Sequence, residues 1–242
     1  MKKVMSVIAK SYSQSEFEPY GYEIEFKDGE FLVPMEIVLD NEKRMKLIGK
    51  IDRIDVLELE DAMYARVIDY KSSSKKLSLE DIREGLSLQL ISYLNAFIEN
   101  NKDKNVKPAG MLYFNLSDKL IGLSQYEENS EKIEKKIVES LRMNGIFLKD
   151  IEILNKMDKN FENDNRFIGI SKRSVSGNTS NTKNPSSLEL SQFEKLCEEV
   201  KTILKDIGNE IVSGIVKIAP NKKADHCKFC NYSSVCRKNS CI

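Results

Sequence analysis

The segment Met63–Lys71 places the strongest constraint on what this chain can fold into. Its first six residues, Met-Tyr-Ala-Arg-Val-Ile, have the apolar, aromatic and β-branched content of a strand, and they run directly into Asp69-Tyr70-Lys71. Because side chains alternate between the two faces of a sheet, we expect Asp69 and Lys71 on one face and Tyr70 on the other. The sequence therefore predicts an acid and a base side by side at a strand's end.

A second predicted strand precedes this segment and carries another acid. Residues 47–52, Leu-Ile-Gly-Lys-Ile-Asp, have strand character, and the acid-rich stretch 56–61 fits the outer part of a hairpin. If the two strands pair, Asp52 approaches Asp69 and Lys71. Two carboxylates and one ammonium are costly to gather on one sheet face unless a further charge compensates. A hard divalent cation is the usual compensation, so the pattern favours a metal site.

Asp55 is an alternative to Asp52 as the partner of Asp69. Asp52 and Asp55 lie three residues apart in the same predicted strand. On an ideal strand they face opposite sides of the sheet, so only one of them can point in the same direction as Asp69. The spacing alone leaves this choice open.

A helix is predicted after the Asp-x-Lys segment. Ser78 can cap its start, and apolar residues recur at intervals of three and four up to about Asn100. Gln89 and Tyr93 lie one turn apart on this helix, so they share a face and can reach a common target.

Taken together, Asp52, Asp69-Tyr70-Lys71 and the Gln89–Tyr93 segment resemble the PD-(D/E)XK nucleases of the RecB type. The run Gly49–Asp55 and the cysteine pattern near the C-terminus narrow the resemblance to the nuclease domain of AddB-type helicase-nuclease subunits, over roughly residues 17–236. The resemblance implies an α/β, restriction-endonuclease-like fold: a mixed sheet flanked by helices, with a cysteine-rich C-terminal tail. The family's Gly-x-Ile-Asp pattern favours Asp52 over Asp55.

The resemblance also implies a role for each residue of the predicted site. Asp52 and Asp69 would ligate Mg²⁺ or Mn²⁺, with the backbone carbonyl of Tyr70 as a further ligand. Lys71 would hold or deprotonate the attacking water. The other two catalytic candidates, Gln89 and Tyr93, would contact the DNA backbone and the active-site groups.

The function implied by the resemblance is metal-dependent exonucleolytic hydrolysis of DNA in an AddAB-type helicase-nuclease that processes double-strand breaks for recombinational repair. The expected partners are DNA and an AddA-like helicase-nuclease subunit. Two other classes of function stay open: a catalytically silent DNA-binding or scaffolding module of the same fold, and a zinc-binding interaction domain built around the tail.

The tail has the spacing of a metal or cluster site. Five cysteines, an odd number mostly crowded at the end, argue against a disulfide framework. Cys227, Cys230 and Cys236 form a C-x2-C-x5-C pattern, which lets three thiolates converge on one centre. The resemblance implies that these three cysteines bind a [4Fe-4S] cluster in the full-length protein.

The fourth ligand of such a cluster is not evident. The family's fourth cysteine lies well upstream, whereas the first cysteine of this chain is Cys197, which occupies an inward helical position and is predicted to be core. Cys241 is near enough to substitute, and a zinc site that recruits His226 is an alternative. The cluster is therefore insecure in this chain.

The predicted organisation has three parts: residues 1–20 as a remnant or linker, 21–218 as the nuclease domain with a mobile or disordered loop at 156–187, and 219–242 as the iron–sulfur tail. The first acidic motif of the family, on an early helix, has no counterpart in Met1–Lys10. We therefore expect a fragment of a longer subunit, with weak or no activity by itself. The sequence contains no G-x-x-x-x-G-K-[ST] loop, so no ATP site is expected.

Composition adds little about function. Lys plus Arg and Asp plus Glu are equal at 38 each, so net charge does not indicate nucleic-acid binding. No run approaches the ~18 apolar residues of a membrane span, and we expect a cytoplasmic protein without a membrane partner.

Overall fold

In a computed structural model of the chain, the structure describes residues 2–73, 75–116, 130–176, 185–218, 227, 230–232 and 235–236. The first half contains α1 (Lys2–Ser13), β1 (Glu18–Phe26), β2 (Met35–Val38), β3 (Arg44–Leu47), β4 (Gly49–Glu58), β5 (Met63–Lys71), α2 (Leu79–Arg83), α3 (Gln89–Asn100) and a 3₁₀ turn (Lys102–Lys104). The second half contains β6 (Val106–Asn115), α4 (Ser130–Ser140), β7 (Met143–Leu148), α5 (Ile151–Met157), α6 (Phe161–Asp164), α7 (Lys172–Ser176), β8 (Ser187–Leu188) and α8 (Leu190–Val212).

Six of the strands form one mixed sheet in the order β1-β4-β5-β6-β7-β8. The β1, β4 and β5 strands run antiparallel, β6 pairs parallel with β5, and β7 returns antiparallel to β6. β2 and β3 form a separate two-stranded hairpin. The parallel β5–β6 pair requires a crossover, which α2 and α3 supply. The predicted α/β fold with a mixed sheet flanked by helices is confirmed.

Each face of the sheet packs against its own group of helices. On one face, Ile54 and Val67 join a core that includes Leu94 of α3 and Val200 of α8. On the other face, a second core includes Ile68, Leu112, Val7 of α1 and Leu154 of α5. Burial of each such aliphatic side chain contributes about 1.5–3 kcal/mol, so both helical layers fix the position of the central strands.

The helix predicted from Ser78 to Asn100 is two helices. α2 ends at Arg83, and α3 begins at Gln89. Gly85 between them has φ 76°, a left-handed conformation that a helix cannot continue through. The prediction of one helix was wrong because Leu86 keeps the apolar spacing across the break, while a glycine signals it only weakly.

The segment 156–187, expected to be a mobile or disordered loop, is structured where the structure describes it. Residues 156–176 include α6 and α7, and Phe161, Ile168 and Val175 are buried in the core of the second face. Their irregular spacing among Asn, Asp and Lys gives no periodic signal. Likewise, the first residues form a helix whose Val7 is buried. None of the helices among the described residues is long and apolar enough to cross a membrane.

Candidate active site

Asp52 and Asp69 lie on neighbouring strands at the same level of the sheet. The β4–β5 ladder pairs Arg53 with Ile68, and one further step of this antiparallel register sets Asp52 opposite Asp69. The Tyr70 amide donates a hydrogen bond of 2.9 Å to Asp52 Oδ2. Directly opposed residues of an antiparallel pair share a face, so the two carboxylates face the α3 side of the sheet.

Lys71 connects this pair of acids to the start of α3. Its Nζ lies 2.5 Å from Asp69 Oδ2 and donates a hydrogen bond of 3.3 Å to Gln89 Oε1. Gln89 Nε2 in turn donates to the Tyr93 hydroxyl at 3.1 Å. The five side chains predicted as catalytic, from Asp52 to Tyr93, are thus brought into one continuous cluster.

Asp69 is the buried centre of the cluster. Its side chain is only 2% exposed, and that burial raises its pKa, while the Lys71 ammonium lowers it and the Asp52 carboxylate raises it. Among the described residues, no donor makes a properly directed hydrogen bond to Asp69 Oδ2, although Lys71 Nζ is close to it. A buried carboxylate oxygen in this state is costly unless a cation or a donor reaches it.

The donor set fits a small divalent cation. The described residues contain no group of three or more His, Cys, Asp or Glu side chains placed to hold a metal. Mg²⁺, however, is commonly held by only one or two carboxylates, together with waters and substrate phosphates. Asp52, Asp69 and the main-chain carbonyl of Tyr70 could supply such a set, and the buried Asp69 Oδ2 is the atom most in need of it.

Asp55 is committed to the opposite face of the sheet. Arg53 donates from Nε and Nη2 to its two carboxylate oxygens, each at 2.6 Å, and Arg66 Nε donates at 2.9 Å. All three side chains are at most 2% exposed. The Arg53 guanidinium also lies 4.4 Å from the centroid of the Tyr12 ring in α1. Of the two acids left open by the spacing, Asp52 is therefore the one that lies beside Asp69.

Tyr113 is a site neighbour that the sequence analysis missed. It is paired with Asp69 in the parallel β5–β6 register and is 2% exposed. Burial and the Asp69 carboxylate raise the pKa of its hydroxyl to about 12. Only the pairing of β6 with β5 reveals this neighbour, because 44 residues separate the two positions. No local sequence signal marks it.

The cysteine tail is only partly described. Cys230 and Cys236 are free thiols, and Cys227 takes part in a disulfide. The Cys230 amide donates to the Cys227 carbonyl at 3.3 Å, so the C-x2-C segment forms a turn. Cys241 and His226 lie outside the described residues. Cys197 is 6% exposed in the core, as predicted from its helical position.

Comparison with known proteins agrees with this geometry. Residues 2–237 match the model of the PD-(D/E)XK nuclease superfamily. The chain is 38% identical over 237 residues to a subunit of the ATP-dependent helicase/deoxyribonuclease of Thermoanaerobacter sp. (strain X514), a match that covers 96% of this chain and 20% of that protein. The subunits of the same name from Ruminiclostridium cellulolyticum and Clostridioides difficile are 39% and 36% identical over 96% and 98% of the chain.

The chain spans about a fifth of the length of these relatives, 20–21%. The superfamily match, by contrast, includes both carboxylate strands, α3 and the part of the tail up to residue 237. The chain therefore belongs to the PD-(D/E)XK nuclease superfamily.

Proposed function

We propose that this chain is a divalent-cation-dependent nuclease domain that hydrolyses DNA phosphodiester bonds from strand ends. The observation that carries the proposal is the placement of Asp52, Asp69 and Lys71 on one sheet face, with a buried Asp69 oxygen that lacks a directed hydrogen bond from the described residues. DNA enters the proposal through the deoxyribonuclease name of the relatives.

Each residue has a distinct part in the proposed reaction. When bound, a divalent cation would act as a Lewis acid and would lower the pKa of water. Asp52 is held in place for ligation by the Tyr70 amide, and Asp69 supplies the buried carboxylate. Lys71 offers an ammonium beside them, which can orient the attacking water and stabilise negative charge that develops on the phosphate.

Gln89 and Tyr93 act on the position of Lys71 in this proposal. Gln89 Oε1 accepts from Lys71 Nζ, and Gln89 is itself held by the Tyr93 hydroxyl. Gln89 is the first residue of α3, so amides at the start of the helix also face the site. Amides at a helix N-terminus favour anions, which suits a DNA phosphate.

The test is cleavage of labelled single-stranded DNA in Mg²⁺ or Mn²⁺ by the wild type, by Asp69→Ala and by Asp61→Ala. Asp61 is a matched acid whose side chain is 73% exposed and pairs with Lys107 at 3.4 Å. We expect cleavage by the wild type and Asp61→Ala only. Equal cleavage by Asp69→Ala would contradict the site. DNA binding without cleavage by any of the three would favour the catalytically silent DNA-binding module.

A second substrate tests the exonuclease assignment. A linear strand and a circular strand of the same sequence differ only in their ends. We expect the linear strand to be degraded and the circle to survive. Equal loss of both would assign the chain to the endonucleases instead.

We also propose that the chain acts in the cytoplasm as part of a longer AddB-type subunit that pairs with an AddA-like helicase-nuclease. The helicase/deoxyribonuclease name of the relatives and the 20% of their length that the chain covers support this proposal. Co-purification of the full-length subunit with its AddA-like partner, followed by sizing, tests it. A full-length subunit that stays alone in the presence of that partner would contradict it.

For the tail, we propose that Cys227, Cys230 and Cys236 contribute thiolates to a [4Fe-4S] cluster in the full-length subunit. The turn between Cys227 and Cys230 supports convergence of their side chains, and the disulfide at Cys227 would first have to be reduced. Among the described residues these are the only cysteines outside the core, so a fourth ligand must come from elsewhere. Absorbance near the visible cluster band after anaerobic purification, compared with Cys230→Ala, tests the proposal. A colourless wild type would contradict it.

A further inference from the structure

The buried Tyr113 hydroxyl lies next to the proposed metal site without a hydrogen-bond partner. Tyr113 is 2% exposed, and its hydroxyl makes no hydrogen bond within the described part of the chain. A buried hydroxyl left in this state costs about 1–3 kcal/mol. Native structures seldom keep such a group without a water, an ion or a functional reason.

Asp69 Oδ2 is in the same state on the neighbouring strand. Asp69 and Tyr113 are paired in the β5–β6 ladder, and no described residue donates a properly directed hydrogen bond to Asp69 Oδ2. Adjacent strands lie about 4.8 Å apart, so the two side chains stand next to each other on one face. A tyrosine reaches further from the strand than an aspartate, so the hydroxyl and the carboxylate do not meet directly.

Two ammonium groups flank the Tyr113 ring. Lys71 Nζ lies 5.8 Å and Lys75 Nζ 5.2 Å from the ring centroid. The ring therefore forms one wall of the space in which Asp69 and Lys71 meet. A polar space with at least two unsatisfied groups is where a buried water is retained, because such waters typically make about three hydrogen bonds.

We propose that Tyr113 is a positioning residue of the nuclease site: its hydroxyl hydrogen-bonds a water molecule shared with the Asp69 carboxylate and thereby orients that carboxylate toward a divalent cation. The inference rests on the proposed function, since it gives Tyr113 a role only if Asp69 ligates a cation. Groups that orient metal ligands in this way typically change metal affinity or activity by about 10–100-fold when they are removed.

The test measures Mn²⁺ affinity by titration calorimetry in the wild type, Tyr113→Phe, Asp69→Asn and Tyr64→Phe. Tyr113→Phe keeps the ring and removes only the hydroxyl. Tyr64, at the other end of β5 and packed on the opposite face, is the matched control. We expect Tyr113→Phe to bind Mn²⁺ about tenfold more weakly than the wild type and Tyr64→Phe to bind it equally.

Stability in EDTA separates this role from a structural one. Removal of an unsatisfied hydroxyl should leave the unfolding midpoint of the cation-free protein unchanged or higher. A Tyr113→Phe variant with Mn²⁺ affinity within twofold of the wild type would overturn the inference, whether or not its stability changes. If Asp69→Asn binds Mn²⁺ as the wild type does, or the wild type binds none, the proposed metal site itself fails and the inference falls with it.

Discussion

The Tyr70 amide donates a hydrogen bond of 2.9 Å to the Asp52 carboxylate on the adjacent strand. Tyr70 stands between Asp69 and Lys71 in sequence, so the main chain that carries these two residues also holds Asp52 in place. Its ring points to the opposite face, where Arg53 Nη1 donates to its hydroxyl at 3.4 Å. One residue thus joins the metal-facing side of the sheet to the buried ion cluster beneath it.

Substitution of Lys71 by alanine should abolish cleavage and leave DNA binding intact. The ammonium is the only side-chain cation in contact with Asp69 among the described residues, and loss of one electrostatic group in a preorganised site costs about 10²–10³-fold in rate. Single-turnover cleavage measures the rate, and fluorescence anisotropy in EDTA measures binding. Lys107→Ala, which removes an ammonium paired with Asp61, is the control. Unchanged cleavage by Lys71→Ala would refute its assigned role.

Asp52 and Asp55 should respond oppositely to alanine substitution. Asp55→Ala leaves Arg53 and Arg66 buried without their shared carboxylate, and loss of one partner of a buried ion cluster costs about 3–5 kcal/mol. Asp52→Ala loses one hydrogen bond from Tyr70, at about 1–2 kcal/mol, but should lose Mn²⁺ binding. Denaturant unfolding and calorimetry measure the two effects. Retained Mn²⁺ binding in Asp52→Ala would reopen the choice between the two acids.

The raised pKa of Asp69 makes a prediction about pH. Burial raises this pKa in the folded, cation-free protein, so the carboxyl favours folding below its ordinary value of about 4 and loses that contribution as pH rises through the folded value. Asp69→Asn should therefore gain stability relative to the wild type as pH increases from about 4 toward neutrality. Urea unfolding in EDTA across this range measures the difference. The exposed control Asp61→Asn should show no such trend, and a flat difference for Asp69→Asn would contradict the prediction.

The same shift should appear in cation binding. A proton competes with the cation for Asp69, and it does so at higher pH than for an ordinary aspartate. We expect Mn²⁺ affinity to fall on acidification while most exposed carboxylates are still ionised. Calorimetric titration at several pH values tests this, with proton release measured from the dependence on buffer ionisation enthalpy. An affinity that stays constant down to pH about 4 would refute it.

Gln89→Ala should slow cleavage without a change in cation affinity. Gln89 contacts Lys71 and Tyr93 but neither carboxylate. Misplacement of a reacting group by a fraction of an ångström to an ångström costs about 10–100-fold. We expect a lower kcat at an unchanged Mn²⁺ dissociation constant, and a smaller loss for Tyr93→Phe because Gln89 keeps its bond to Lys71. A parallel loss of Mn²⁺ affinity would place Gln89 in the metal site instead.

Gly49→Ala should disturb the contact between β4 and α3. A Cβ at this position would lie 2.7 Å from the Phe26 ring and 3.3 Å from the Tyr93 ring. Overpacking of this kind costs about 1–3 kcal/mol, and the displaced Tyr93 would no longer hold Gln89 as it does now. Thermal unfolding and cleavage measure the two effects. Wild-type values for both would show that the Phe26 ring moves aside freely.

The sequence was sufficient for features that depend on short periods. Alternation along β5 predicted that Asp69 and Lys71 share a face, and the spacing of three predicted that only one of Asp52 and Asp55 can join them. The fold class followed from the motif resemblance. The break at Gly85 and the buried residues of 156–176 were missed, because neither interrupts nor creates a regular hydrophobic repeat.

The sequence by itself determined the residue types of the site and the face on which neighbouring positions of a strand lie, since these follow from backbone geometry over a few residues. Only the tertiary structure decided the rest. The pairing of β4 with β5 brought Asp52 to Asp69, two arginines held Asp55 on the opposite face, and the parallel β5–β6 pair set Tyr113 beside Asp69. Such relations depend on strand order and register, which are fixed by the packing of residues far apart in the chain.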